Sequence, residues 1–184
     1  MAVTKCTVFT SGLKGAEVAF GEEAVRCGQD ECVLTYSGHQ HDRHDAKNIV
    51  TMSAEDLQRG DISMEIASKM MNRTYYGADK IRKVLQILFH VVNRGHQVLV
   101  VGQILDDNTV KGGTGWAVEL AKLFNRPLNV FDQQREKWYL WQGGIWQEEK
   151  PHISYETLAC SGTRNLTDAG RKAIADLFRE TFAQ

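Results

Sequence analysis

The run QVLVVGQIL at residues 97–105 carries no charge and is made largely of aliphatic and β-branched side chains. Such a strand has no polar face to offer water, so it must lie inside a sheet covered on both sides, as in parallel α/β folds. The rest of the chain fits that demand by alternating strand with helix. KCTVFT (5–10) reads as a β-branched strand, followed by a glycine-punctuated turn and a helical segment, AEVAFGEEAVRC, that stops at Gly28. CVLTY (32–36) is a second strand, and residues 37–52, with turn residues, three histidines and few apolar positions, read as a loop. Ser53 to Asp56 (SAED) has capping-box spacing and opens a helical region. Ile62, Ile66 and Met70 recur at helical spacing, and a wider apolar stripe from Ile81 to Val92 ends at Arg94-Gly95, predicting two helices.

Beyond the central run, Trp116, Leu120, Leu123 and Phe124 again keep helical spacing, closed by Asn125 and Pro127 before the strand PLNVFD. Residues 137–147 predict a hairpin turning on Gly143-Gly144, a pair suited to the positive φ angles of a two-residue turn. TLACSGTR then leads into a helix striped by Ile174, Leu177, Phe178 and Phe182. Alternation of this kind implies a three-layer α/β/α sandwich with a mostly parallel sheet, a small β-hairpin insertion, and a ligand cleft at the carboxyl ends of the strands. Only two prolines interrupt the chain and no low-complexity stretch marks a linker, so residues 1–184 are expected to form a single domain.

Composition narrows the function. A formal charge of −1 with no basic run disfavours a protein that holds nucleic acid through its phosphates. No stretch approaches the roughly 20 apolar residues of a membrane span and no signal-peptide pattern opens the chain, which points to a soluble, cytoplasmic protein. Cys6, Cys27, Cys32 and Cys160 lack CxxC spacing and read as core filler rather than as disulfides or zinc ligands.

Three predicted strand ends carry Gly, Ser or Thr immediately before a helix: Thr10-Ser11-Gly12-Leu13-Lys14-Gly15, Lys111-Gly112-Gly113-Thr114-Gly115 and Ser161-Gly162-Thr163-Arg164. A helix N-terminus presents unpaired N–H groups, and glycine lets an anion approach the backbone, so each turn is a candidate phosphate cradle. None matches GxGxxG or GxxxxGK[ST], so neither the dinucleotide fingerprint nor the P-loop is supported. Lys14 and Arg164 stand at helix starts, where the macrodipole disfavours cations and an anionic ligand would offset the cost.

The second turn, KGGTGWAVE from Lys111 to Glu119, resembles the PGGxGTxxE signature of the LOG-type phosphoribohydrolases and their wider SLOG superfamily of nucleotide-binding, Rossmann-like proteins. Gly112, Gly113, Gly115 and Glu119 match position for position, while Lys111 replaces the first Pro and Trp116 the second Thr. Met70 to Thr74 resembles the family's MxxRK with Arg73 at the functional arginine, and Ser11 to Glu17 is similar to SGxxKGAD-type turns of the superfamily. The resemblance implies a homodimer or higher homo-oligomer and a nucleotide-like small-molecule ligand, and the three glycine turns supply its candidate contacts: Ser11, Gly12, Lys14, Gly15, Gly112, Gly113, Thr114, Gly115, Thr163 and Arg164. It implies a catalytic pair as well. Glu119 would stabilise an oxocarbenium-like centre or activate water, and Arg73 would orient the phosphate, which together amount to N-glycosidic cleavage of a nucleoside monophosphate. A non-catalytic sensor, carrier or sequestering module is the alternative, favoured by Thr74 and Trp116.

Two further constellations complete the reading. His39, His41 and His44 have the spacing of an HxHxDH metal motif, but Arg43 occupies the acidic position and would repel a cation, so no metal and no cofactor are assigned. A metal-dependent hydrolase using that loop is the outsider. Trp138 and Trp141 present aromatic faces suited to a nucleobase, but three-residue spacing on a strand sends them to opposite faces.

Overall fold

The computed structural model describes residues 3–182. Its centre is an eight-stranded sheet built from β1 (Thr7–Thr10), β2 (Asp30–Tyr36), β3 (Ile49–Met52), β4 (Gln97–Gly102), β5 (Leu128–Asp132), β6 (Lys137–Gln142), β7 (Ile145–Glu148) and β8 (Thr157–Gly162). The spatial order is β3-β2-β1-β8-β4-β5-β6-β7, parallel except for the antiparallel β6–β7 hairpin at one edge. β4, the uncharged apolar run, lies between β8 and β5 and is buried at every position.

Among the described residues six helices cover the sheet: α1 (Ala16–Arg26), α2 (Ala54–Gln58), α3 (Asp61–Met71), α4 (Asp79–Arg94), α5 (Thr114–Leu123) and α6 (Asp168–Phe182). Strand alternation divides the core in two. Leu99 and Val101 point into one cluster, with Phe20 of α1 and Ile174, Leu177 and Phe178 of α6. Val98 and Val100 point into the other, with Leu57, Met64, Leu88, Val91 and Leu120 from α2 to α5. Phe20 and Phe178 meet edge to face at 6.4 Å, pinning α1 to α6. The three-layer sandwich expected from the sequence is therefore the architecture observed.

Two elements depart from the sequence reading. Residues 49–52, expected to belong to a loop, form β3, a parallel edge strand on β2. Only Met52 of its four residues is buried, and the β-branched run Ile49-Val50-Thr51 lacks the apolar-polar alternation of a half-buried strand. The α3 stripe of Ile62, Ile66 and Met70 faces outward, with Ile62 78% exposed, while Met64, Ala67, Ser68 and Met71 form the buried face. Small Ala67 and Ser68 let α3 approach its neighbours closely, which large side chains would prevent. The hairpin turns as expected on Gly143 and Gly144, both at positive φ, and it sends Trp138 and Trp141 to opposite core clusters.

From β1 the chain steps outward to β2 and β3, crosses over to β4, then steps outward the other way to β5 and the hairpin. The sheet's direction of growth thus reverses between β1 and β4, with β8 filling the gap. Loops at such a reversal diverge and leave a crevice at the strand carboxyl ends. Among the described residues, no helix is long and apolar enough to cross a membrane.

Candidate ligand-binding site

A cleft of about 480 Å³ opens at this reversal, within the range of about 300–1,000 Å³ usual for small-molecule sites. It is lined by Lys111 to Thr114, by Leu13 of the turn after β1 and Glu17 of α1, by Ser161 to Asn165 at the end of β8, and by Val84, Leu85 and Leu88 of α4. Gln103 and Gln133 line it from the ends of β4 and β5, and the Gln133 side chain holds the β8–α6 loop through Asn165 O and the Thr167 amide.

The Gly112–Thr114 turn is the open cradle. Among the described residues the backbone N–H groups of Gly112, Gly113 and Thr114 have no acceptor, and they stand at the start of the ten-residue helix α5. A Cβ built on Gly112 or Gly113 would meet nothing within 4 Å, so the space before these amides is free. Arg73 supports the turn from behind: it donates to Gly112 O at 3.0 Å, Val110 O at 2.9 Å and Thr109 Oγ1 at 3.2 Å. Gly115 is needed for that support, since a Cβ there would lie 2.6 Å from Arg73 Nη1 and collide with Val110 O. Arg73 also lines a second hollow with Thr74, Tyr76, Ile81 and Trp116, which shares Gly112 and Gly113 with the main cleft.

The other two turns are occupied by the protein itself. At the end of β1, the amides of Ser11 (2.9 Å) and Leu13 (3.2 Å) and the Ser11 hydroxyl (2.6 Å) all donate to Glu17 Oε2, while Ser161 Oγ donates to Oε1 at 3.1 Å. Glu17 thus fills with its own carboxylate the place an anion would take. It is 1% exposed, and desolvation pushes its carboxyl up against the pull of its four donors. At the end of β8, the Thr163 amide donates to Val101 O and Thr163 O accepts from the Ala16 amide.

Of the residues the sequence singled out, Gly112, Gly113, Thr114, Thr163 and Arg164 line the cleft together. Ser11, Gly12, Lys14, Gly15 and Gly115 are not among its lining residues. A Cβ on Gly15 would collide with Thr163 O and a Cβ on Gly12 would press on Val33, so both glycines serve close packing. Lys14 is exposed. Glu119 lines neither hollow. It is 3% exposed and bound to Lys122 Nζ at 2.7 Å, and Lys122 in turn donates to Asn108 O and sits 4.0 Å over the Trp141 ring. Four residues after Gly115 the helix has turned this carboxylate toward the hairpin.

The histidine loop packs against the turn after β1, where a Cβ on Gly12 would lie 3.3 Å from His41 Nδ1, and none of its histidines lines the cleft. The rings of Tyr36, His39, His41 and His44 follow one another at 4.5, 5.7 and 4.5 Å. Among the described residues no group of three or more His, Cys, Asp or Glu side chains is placed to hold a metal ion. Arg43 is turned inward onto Glu31 at 2.6 Å. Burial, aided by His41 and Arg164, lowers the His39 pKa to about 4, so its ring is neutral at physiological pH.

Sequence reasoning missed Glu17, Gln103 and Gln133 as cleft residues. The glutamines carry no motif. Glu17 was visible only as the acidic end of the Ser11 turn, six residues from the serine it holds.

No protein-family model matches the chain, and no curated protein does either. Among solved structures, one from Syntrophus aciditrophicus SB, provisionally named as a molybdenum carrier protein, superposes with a TM-score of 0.55 at 15% sequence identity, covering 100% of this chain and 96% of that one. At that identity the likeness is one of fold: an α/β sandwich spanning the whole chain.

Proposed function

We propose that this chain is a binding or carrier protein, of SLOG type, for a small phosphorylated, nucleotide-like ligand held at the carboxyl ends of the sheet. The observation that carries the reading is the cradle of Gly112 to Thr114: three unpaired amides at a helix start, two open glycines, and Lys111 and Arg164 on the rim of one cleft. Oriented amides and a helix dipole bind an anion without needing a net basic protein. The name of the structural neighbour, a carrier, is in keeping with this reading.

Turnover is not part of the proposal, because the two residues with suggested catalytic roles are otherwise employed. Glu119 faces Lys122 and the hairpin, and Arg73 spends its guanidinium on three oxygens of the 109–112 turn. Base release from AMP is accordingly expected to be absent in the wild type, and Glu119→Gln to leave ligand affinity unchanged.

Gly113 provides the direct test. Its φ of −60° suits any residue and the space before it is empty, so Gly113→Asp places a carboxylate over the cradle without straining the backbone. Calorimetric titration with AMP and with inorganic phosphate should show affinity falling by at least ~10-fold, the scale of one lost charge-assisted contact turned repulsive. The melting temperature should hold. Undiminished affinity in a folded variant would remove the cradle from the site.

A further inference from the structure

α3 keeps its largest aliphatic side chains on the outside. Its core face is made of Met64, Ala67, Ser68 and Met71, whereas Ile62, Ile66 and Met70 are 78%, 42% and 45% exposed. Single apolar side chains are common on protein surfaces, but Ile and Met are among the residues most often buried, and three at successive turns of one helix form a continuous patch. Residues four apart on an α-helix are turned by only about 40° around its axis, so this stripe runs nearly straight for about 12 Å. Asn72, which caps α3, also lines the second hollow, whose half-exposed Tyr76 and Ile81 add apolar surface at that end.

The charges beside the stripe indicate what covers it. Glu65 and Lys69 lie four apart along one flank, both exposed, and among the described residues neither forms an ion pair. Arg82 of α4 is taken up by Asp61 instead. A two-fold axis through Ile66 would lay a second α3 antiparallel on the first, an isologous contact in which residue i meets residue j and j meets i. Ile66 then packs on its own copy and Ile62 on Met70. The same flank faces itself in such a pair, which sets Glu65 of each chain opposite Lys69 of the other, their midpoint only one residue, about 1.5 Å, from the axis. With one Glu against one Lys, the flank has no net charge to draw it to an anionic membrane, whereas it complements itself.

We propose that the outer face of α3 is the contact surface between two copies of this chain, packed antiparallel across a two-fold axis at Ile66 and held in register by reciprocal Glu65–Lys69 pairs. The assignment is independent of the ligand proposed above, because none of these residues lines the cleft or the second hollow.

Sedimentation velocity of the full chain at micromolar concentration should show a dimer. Ile66→Asp, which sets two carboxylates against each other at the axis, should weaken it by roughly a hundredfold, the scale of a central hot spot. Ile66 belongs to the outer face, so the far-UV circular dichroism of this variant should match that of the wild type. Charge variants test the register without touching the apolar stripe, and they decide the matter should Ile66→Asp fail to fold. Glu65→Lys alone and Lys69→Glu alone each put like charges across the axis and should weaken the dimer by about tenfold, while an equimolar mixture of the two, or both substitutions in one chain, should restore the wild-type affinity. A monomeric wild type overturns the assignment, and its flotation with phosphatidylglycerol vesicles would give the stripe to a membrane instead. A dimer undiminished in folded Ile66→Asp, or single charge variants that the mixture does not rescue, overturns it as well. Each of these results leaves the anion cradle standing.

Discussion

Arg43 and Glu31 face each other inside the protein at 2.6 Å and 2.9 Å, with both side chains nearly removed from solvent, and Gly21 of α1 lies against the pair. A buried ion pair holds only while its geometry is kept, because each charge depends on the other for its solvation. A methyl group on Gly21 would collide with Glu31 Oε1 and lie 2.6 Å from its Cδ. Gly21→Ala is therefore expected to cost about 3 kcal/mol, against the small gain alanine ordinarily brings to a helix. In a chain of this size the thermal midpoint should drop by on the order of 10 °C. A melt as high as that of the wild type would show that the pair can shift without loss.

Between elements, the contact of α5 with the β6–β7 hairpin depends on few groups. Lys122 reaches from α5 to Asn108 O and the Trp141 ring, neutralises Glu119 and sits near Trp146, whose indole N–H also donates to Asn108 O. Lys122→Ala would leave Glu119 buried without a partner, a loss of about 3 kcal/mol. Hydrogen exchange should locate the effect: amides of β6 and β7 lose protection before those of β4, which is covered on both faces. Uniform loss across the sheet would instead mean that the hairpin and the central strands unfold together.

For the molecule as a whole, acid is the expected weakness. His39, His41 and His90 all have pKa values lowered chiefly by burial, His39 to about 4. A base whose folded pKa is depressed contributes stability that is present above its unfolded pKa and lost as pH falls toward the folded one. For His39 the window runs from 6.5 down to about 4. Glu17 acts in the opposite sense, its raised carboxyl favouring the fold at low pH, so the net slope is shared. Urea denaturation of the wild type and His39→Gln across that window should show a shallower pH dependence in the variant. Parallel curves would remove His39 from the acid response.

The sequence by itself determined the strand-helix alternation, the central β4 run and the glycine hairpin, because each is dictated by local physics: side-chain period, continuous apolarity and backbone conformation. It also marked the Gly112–Thr114 cradle, since a turn that needs open glycines before a helix must spell them out. What it left open were matters of direction. Helical spacing placed Ile62, Ile66 and Met70 on one face of α3 but not which face meets the core, and the motif placed Glu119 one turn into α5 but not toward the hairpin. Edge strand β3 spells a short β-branched run, Ile49-Val50-Thr51, but without apolar-polar alternation, and only its pairing with β2 decided that it forms a strand. Glu17 became a cleft residue only when β8 came to lie beside β1 and brought Ser161, separated from it by 144 positions, to its second oxygen. Long-range pairing of this kind depends on which strands are neighbours, and local sequence does not encode it.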